Sequence, residues 1–303
     1  MAGLIPTPLR ALPRDAVVLF LTRFTRLFAY GALSVVLVFY LVSLGLTEAQ
    51  VGLLLTLTLA GDMAISLALT TRADRLGRRR MLIVGAILMV GAGIAFGSTR
   101  NLLFLILAGT IGVISPSGHE VGPFLSIEQA ALSHVVPARS RTEVFAWYTL
   151  AGSVATALGA LFGGTAAGLA QKAYVSNSGS YRMVVLAYAA LGLALVFLFT
   201  RLSPSAEVTE CAAETTAAVS TKHFLGVGRS RSIVLKLSSL FALDSFGGGF
   251  VVQSFAAYWF YLRFGVPSAK LGVIFFGRIF WREFHLCLPR VLLIVSVWLG
   301  PWW

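Results

Sequence analysis

Apolar runs of membrane-spanning length alternate with short polar loops along most of this chain. A bilayer span needs about 20 mainly apolar residues, and helices are the default because lipid offers no hydrogen bonds to an open backbone. The third run reaches full length only if its helix begins within Arg79 and Arg80. On this pattern we predict seven helices, at residues 17–44, 51–69, 81–96, 102–132, 144–169, 181–199 and 232–261.

Two segments depart from this pattern. Residues 201–230 are rich in Ser, Thr, Ala and Glu without an apolar face, which predicts a flexible linker. Four of the six tryptophans fall in the last 23 residues. Residues 278–303 are either an interfacial aromatic anchor or, as we favour, the product of truncation or a shifted reading frame. The predicted units are therefore an N-terminal tail (1–16), a six-helix bundle (17–200), the linker (201–230), the start of a second bundle (231–277) and this atypical segment.

The composition indicates lipid as the surrounding solvent. The chain is 57% hydrophobic and 12% charged, with a mean hydropathy of +0.86, outside the range of ordinary soluble domains. Its net charge of +12 is carried by arginines in short loops, so we predict no nucleic-acid partner. Isolated cysteines, scattered histidines and the lack of a phosphate loop or hydrolase triad predict no metal site, no cofactor and no enzyme.

Alternate loops differ in positive charge, by thirteen Lys and Arg residues to five. Because positively charged loops stay in the cytoplasm, we predict a multi-pass protein of the plasma or inner membrane with a cytoplasmic N-terminus. The richer set comprises Arg10, Arg14, Arg72, Arg75, Arg78, Arg79, Arg80, Arg139, Arg141, Arg201, Lys222, Arg229 and Arg231, and the poorer set Arg100, Lys172, Arg182, Arg263 and Lys270.

The loop at residues 71–80 carries five arginines in a specific order. Asp74-Arg75-Leu76-Gly77-Arg78-Arg79 resembles the loop between helices 2 and 3 of the major facilitator superfamily of transporters. The usual form there is Gly-x-x-x-Asp-Arg/Lys-x-Gly-Arg-Arg/Lys, and Thr70 stands here in place of the first Gly. From the residues alone, Asp74 can cap a helix or pair with Arg78, and Gly77 permits a tight turn.

This resemblance implies an all-α polytopic fold, with an N-terminal six-helix bundle and part of a second bundle. Family members move small solutes by alternating access of the two bundles around a central site. The resemblance implies that the loop gates the cytoplasmic face through Asp74, Arg75, Gly77, Arg78 and Arg79. The simpler alternative is that the loop is a topology signal and a turn.

The fifth predicted helix carries two glycine pairs, Gly159/Gly163 and Gly164/Gly168, whose spacing predicts close helix packing. The stretch also resembles the Gly-Pro-x-x-Gly-Gly core of the family's antiporter signature, with Ala160 in place of proline. That resemblance implies efflux or antiport.

The fourth predicted helix is interrupted near its middle by two prolines and two glycines, at residues 115–123. Backbone groups freed there must face protein or water. Glu120 and Glu128 are costly inside lipid, so they are protonated, paired or face a cavity. The alternative is an extracellular bend with hydrated side chains.

Other charged residues lie within predicted helices. Arg23 and Arg26 share a helix face, and they either pair with Glu120 or Glu128 or extend to the cytoplasmic surface. Asp62 lies 12 residues before Asp74, about 18 Å along a helix, and is either a proton site or a helix–helix hydrogen bond. Asp244 lies beside three glycines that predict a flexible break in the seventh helix, and it is a candidate cavity carboxylate.

These features lead to a functional hypothesis. The chain is predicted to be a membrane transporter of a small solute, coupled to a proton that the embedded carboxylates bind and release. Its predicted partners are the lipid bilayer, the solute and that proton. The alternative is a non-transporting membrane remnant, or a regulatory or assembly partner.

Overall fold

The computed structural model describes residues 12–118, 122–173, 176–203, 231–249 and 252–281, and all regular structure in these residues is helical. Five helices are long and apolar enough to cross a bilayer. The helices are α1 (Arg14–Ser43), α2 (Glu48–Leu76), α3 (Arg78–Ser98), α4 (Leu102–Ile111), α5 (Phe124–Val135), α6 (Arg141–Lys172), α7 (Asn177–Thr200), α8 (Arg231–Gly249), α9 (Gln253–Phe264) and α10 (268–281).

Local sequence signals explain the boundaries of α2 and α3. At the start of α2, the Thr47 hydroxyl accepts the Gln50 N–H (3.3 Å) and the Gln50 side chain accepts the Thr47 N–H (2.9 Å), which forms a capping box. The single residue Gly77 separates α2 from α3, and its φ of +98° favours glycine. Because α3 includes Arg79 and Arg80, it has 21 residues and reaches the length of a bilayer span.

Two of the predicted spans are divided in the structure. The fourth comprises α4 and α5, which are separated by residues 112–123, hereafter the interruption. Gly118 and Gly122 within it have φ of +71° and +85°, in the left-handed region. The seventh, predicted over 232–261 with a flexible break at its three glycines, comprises α8, which ends at Gly249, and α9, which begins at Gln253. The glycine run 247–249 accounts for this division, since glycine is a poor helix former.

Helix α1 is the most buried of the long helices, and it packs on α6 and α7. Glycines on α6 allow this close approach: a Cβ at Gly159 would overlap the Phe28 carbonyl, and a Cβ at Gly163 would overlap the Ala32 backbone. On another side of α6, Gly164 and Gly168 lie against residues 268–272 of α10. The small residues therefore hold α6 between α1 and α10.

Several helix ends meet at the end of the bundle that carries the Asp74 loop, hereafter the loop end. There the Ser203 N–H, just after α7, donates to Asp15 of α1 (3.1 Å). The Arg79 guanidinium of α3 donates to the Thr200 carbonyl of α7 (2.8 Å). Helices α1 and α3 end, and α7 begins, at the opposite end of the bundle.

The helices that follow residue 230 differ in their contacts with the bundle. All side chains at positions 232–247 of α8 are exposed. In contrast, α9 packs on α1 and α10 packs on α6. The C-terminal helices therefore join the first bundle mainly through α9 and α10.

Candidate functional site

A buried carboxylate, Glu128 of α5, is held by side chains of α1 and α6. Arg26 donates to both of its oxygens, with Nη1–Oε1 and Nη2–Oε2 distances of 2.7 and 2.8 Å. The Thr22 hydroxyl donates to Oε1 (2.9 Å), and the Tyr148 hydroxyl donates to Oε2. Both charged side chains are 0% exposed. This bidentate geometry neutralises the carboxylate and satisfies both of its oxygens, so the pair links α1, α5 and α6.

The second arginine of α1, Arg23, is directed at α6. Its guanidinium carbon lies 4.4 Å from the centre of the Tyr148 ring, close enough for a cation–π contact. It also packs on Gly152, where an added Cβ would lie only 2.6 Å from the Arg23 Nε atom. Arg23 and Arg26 are 6% and 0% exposed, so neither side chain extends to the surface as one interpretation of the sequence held.

Three backbone groups in the described residues of the interruption are hydrogen-bonded by the helices around it. The Tyr188 hydroxyl of α7 donates to the Val113 carbonyl, and the Ser254 N–H of α9 donates to the Pro116 carbonyl (3.3 Å). The Gly122 N–H donates to Oδ2 of Asp62 on α2 (3.1 Å). An unsatisfied backbone group in hydrocarbon costs several kcal/mol. These contacts therefore explain how a non-helical segment is tolerated between α4 and α5.

Asp62 has few partners for a carboxylate at this depth. It stands at the midpoint of α2, about 21 Å from each end at 1.5 Å per residue. The side chain is only 7% exposed, and its Oδ1 atom accepts no hydrogen bond from the residues that the structure describes. Within those residues it forms no ion pair either. If Asp62 were ionised, the Gly122 N–H would be its one hydrogen-bond donor among the described residues to stabilise the negative charge.

A small polar cluster joins α1, the interruption and α9. The Gln253 amide donates to the Ser34 hydroxyl (3.0 Å), which donates in turn to the Gly31 carbonyl (2.8 Å). The Ser254 hydroxyl lies between the carbonyls of Ser34 (2.7 Å) and Pro116. The three polar side chains in this cluster belong to buried residues, so the cluster is a direct hydrogen-bonded link between the first bundle and α9.

The Asp74 loop is stabilised by two contacts. Arg78 Nε donates to Asp74 Oδ1 (3.0 Å), so Asp74 forms an ion pair rather than a helix cap. Arg79 donates to the carbonyl at the C-terminus of α7, where a positive charge is favoured by the helix dipole. The loop therefore connects the ends of α2, α3 and α7.

Comparisons with known proteins bear on this arrangement. The family model described as Major Facilitator Superfamily matches residues 19–281. The chain belongs to the major facilitator superfamily. The resemblance found in the Asp74 loop is thereby confirmed, and so is an all-α fold of membrane-spanning helices.

Two further matches agree with membership of the superfamily. An uncharacterized membrane protein of Saccharomyces cerevisiae is 33% identical over 300 residues, covering 91% of this chain and 67% of that protein. A crystal structure of a D-xylose-proton symporter matches with a TM-score of 0.63 and 16% identity, over 93% of this chain and 68% of that chain. At that identity the second match shows the fold alone. The chain is therefore a multi-pass membrane protein of a transporter family.

The structure brings some of the predicted site residues of this superfamily member together and separates others. Arg23, Arg26 and Glu128 form one cluster, and Asp62 lies at the interruption. Asp244 is exposed on α8 and joins neither group. Glu120 lies outside the described residues. In the described part of the chain, no group of three or more His, Cys, Asp and Glu residues could hold a metal ion.

Sequence reasoning missed several polar residues of these clusters: Thr22, Ser34, Tyr148, Tyr188 and Ser254. All of them are hydroxyl side chains within or next to apolar runs. That feature was a usable signal, since lipid gives a hydroxyl no partner. Their partners could not be read from the sequence, because Tyr188 and Val113 are 75 positions apart and Ser254 and Pro116 are 138 apart.

Proposed function

We propose that this chain moves a small solute across the membrane by alternating access and that a proton drives the movement. Family membership supports a transporter, and the structural neighbour, a D-xylose-proton symporter, suggests both the proton and a sugar as first candidates. In this proposal residues 17–200 form one bundle, 201–230 the linker and 231–277 the start of the second bundle. The positive loops support a cytoplasmic N-terminus and a plasma or inner membrane in this proposal.

The observation that carries the proposal is that Asp62, among the described residues, accepts one backbone N–H and has no cation as a partner. A buried carboxylate without a cation is costly when ionised, so Asp62 binds a proton while it is closed off from water. When water reaches it, the charged form is solvated and the proton leaves. Asp62 thus has the property that a proton carrier needs: the free-energy cost of its negative charge depends on whether water reaches it.

The interruption connects this proton to the second set of helices. Asp62 holds it at Gly122, and Ser254 of α9 holds it at Pro116. The described residues of the interruption, 112–118 and 122–123, lie outside helices, and such a segment can shift more readily than a helix when one of these anchors changes. Loss of the proton from Asp62 would therefore alter the segment that α9 contacts, which couples proton release to the position of α9.

Two other features have narrower roles in this proposal. The ion pair of Asp74 with Arg78 and the contact of Arg79 with α7 keep the loop end rigid, as a gate between bundles requires. The glycines that suggested efflux or antiport are accounted for by the packing of α6 on α1 and α10. We therefore base no direction of transport on them.

Transport into proteoliposomes tests the proposal. The purified chain is reconstituted, a pH gradient is imposed, and uptake of labelled D-xylose is measured first, followed by a panel of other small neutral solutes. The gradient is expected to accelerate uptake at least tenfold for one solute. In Asp62→Asn the acceleration disappears, while exchange of labelled for unlabelled solute without a gradient continues, because exchange needs no net proton movement.

Glu143→Gln is the matched control, since Glu143 is an exposed carboxylate in the first turn of α6. It is expected to keep the response to the gradient. Acceleration that persists in Asp62→Asn would remove Asp62 as the proton site. A correctly folded wild-type chain that transports none of the solutes would instead favour the non-transporting assembly partner.

A further inference from the structure

A polar cavity of about 210 Å³ lies at the end of the bundle opposite the loop end. It stands where α1 and α3 end and α7 begins. Arginines, hydroxyl groups and glycines dominate its wall. The residues that line it are Tyr40, Leu44, Gly97, Ser98, Thr99, Arg100, Ser176, Ser178, Gly179 and Arg182.

Two arginines from separate elements converge on this cavity. Arg100 lies in the turn between α3 and α4, and Arg182 lies in the second turn of α7. Both side chains line the cavity together with Tyr40, whose hydroxyl donates to the Phe96 carbonyl (2.6 Å). In the described part of the chain neither guanidinium forms an ion pair or a hydrogen bond, and no carboxylate lines the cavity.

Two like charges around one cavity repel each other, and an anion between them would remove that repulsion. Guanidinium groups present several N–H donors in a plane, which suits the oxygens of a phosphate group. The hydroxyls of Ser178 and Thr99 add neutral donors to the wall, and the positive end of the 24-residue helix α7 faces the same space. The chemistry of the cavity therefore matches a phosphate-type anion.

The depth of the cavity indicates where such an anion would come from. Helix α3 has 21 residues and so extends about 31 Å, close to the thickness of the hydrocarbon layer. Thr99 and Arg100 follow directly at its end. The cavity thus lies at the lipid–water interface, at the level of lipid head groups.

We propose that this cavity binds a phosphate group, held by Arg100 and Arg182 and supplied either by the head group of an anionic lipid or by a free phosphate ion. The site is remote from Asp62 and from Glu128, and it stands independently of the proposed transport mechanism. Its effect is to join the ends of α1, α3 and α7 through one anion.

Ligand-dependent thermal unfolding of the full chain in dodecyl maltoside tests this site. The ligands are dihexanoyl phosphatidylglycerol, dihexanoyl phosphatidylcholine and inorganic phosphate. Phosphatidylglycerol is expected to raise the unfolding temperature of the wild type, and phosphatidylcholine, which has no net charge, to act much more weakly. In the pair Arg100→Gln/Arg182→Gln, the half-saturating concentration of phosphatidylglycerol rises at least tenfold, because two charge-assisted contacts are lost.

The control pair Arg263→Gln/Lys270→Gln removes the same charge from exposed residues that do not line the cavity, and its half-saturating concentration should stay within twofold of that of the wild type. The half-saturating concentration for Arg100→Lys/Arg182→Lys should lie between those of the wild type and the Gln pair, since lysine keeps the charge without the planar donors. If inorganic phosphate and phosphatidylglycerol saturate the shift in unfolding temperature at the same concentration, the ligand is the free ion. If phosphatidylglycerol saturates the shift at a much lower concentration, the ligand is the lipid. The proposal would be overturned if the wild type and the Gln pair had the same half-saturating concentration of phosphatidylglycerol. It would also be overturned if the control pair raised that concentration as much as the Gln pair does.

Discussion

Glu128 and Asp62 are both buried carboxylates inside the first bundle, yet their surroundings differ. Glu128 accepts hydrogen bonds from Arg26, Thr22 and Tyr148 and is fully neutralised. Asp62 accepts one backbone N–H at 3.1 Å. A carboxylate with a guanidinium partner holds helices together, whereas one without a cation is free to change its charge. Burial is therefore common to both carboxylates, and the number of hydrogen-bond donors distinguishes them.

The largest effect on stability is expected from Glu128→Gln. The amide leaves Arg26 as a buried charge without its counter-ion, which typically costs about 3–5 kcal/mol. Thermal and denaturant unfolding in detergent, followed by tryptophan fluorescence, would measure the loss. Glu143→Gln removes an exposed carboxylate and should change the free energy of unfolding by less than about 0.5 kcal/mol.

A double variant sharpens this expectation. Arg26→Met/Glu128→Leu removes both charges, so it should be less destabilised than Glu128→Gln alone. Equal stability of Glu128→Gln and Glu143→Gln would contradict the structural role assigned to the ion pair.

The next largest effect is expected at the interruption, from Gly122→Ala. Alanine is strained at a φ of +85°, and its Cβ would lie 2.8 Å from Val113 Cγ1. Such backbone strain costs about 1–3 kcal/mol, and relief of it would move the N–H that Asp62 accepts. Gly91 lies within α3, where an added Cβ would meet nothing within 4 Å. For Gly91→Ala, the free energy of unfolding should therefore be unchanged or increase by up to about 1 kcal/mol.

A smaller effect is expected from Tyr148→Phe. The substitution removes one of the hydrogen bonds to Glu128 but leaves Arg26 and Thr22 in place. Hydrogen bonds between membrane helices are worth about 0.6–2 kcal/mol, and the same unfolding measurement would detect this loss. Tyr261→Phe, at an exposed tyrosine of α9, is the control; a similar change in both variants would show that the hydroxyl of Tyr148 contributes nothing specific.

The smallest effect on stability is expected from Asp62→Asn. The amide oxygen still accepts the Gly122 N–H, and no cation among the described residues loses a partner. The free energy of unfolding should change by less than about 1 kcal/mol, whereas Asp62→Leu, which leaves that N–H without an acceptor, should cost about 1–3 kcal/mol. If Asp62→Asn were as destabilising as Glu128→Gln, the two carboxylates would have the same role.

Much of the fold was predictable from the sequence, because hydropathy and helix signals are local. The start of α3 at the arginines, the turn at Gly77 and the interruption of the fourth span all follow from residue types within a few positions. The three glycines of the seventh span likewise marked the break between α8 and α9.

The candidate site was predictable only as a set of alternatives. Buried charge is costly in lipid, so Arg26 and Glu128 could be singled out from their positions in apolar runs. Whether Arg26 paired with Glu120, paired with Glu128 or extended to the surface depended on the way in which α1 and α5 cross. Arg26 and Glu128 are 102 positions apart.

Residue order alone thus established a helical membrane protein, most of its spans and the family to which it belongs, since each of these follows from local composition or a short motif. The tertiary structure decided which carboxylate is neutralised and which has no cation as a partner among the described residues. That outcome depends on the donors that α1, α6 and the interruption bring to each side chain. Such contacts arise from helix packing across long separations, which no local pattern specifies.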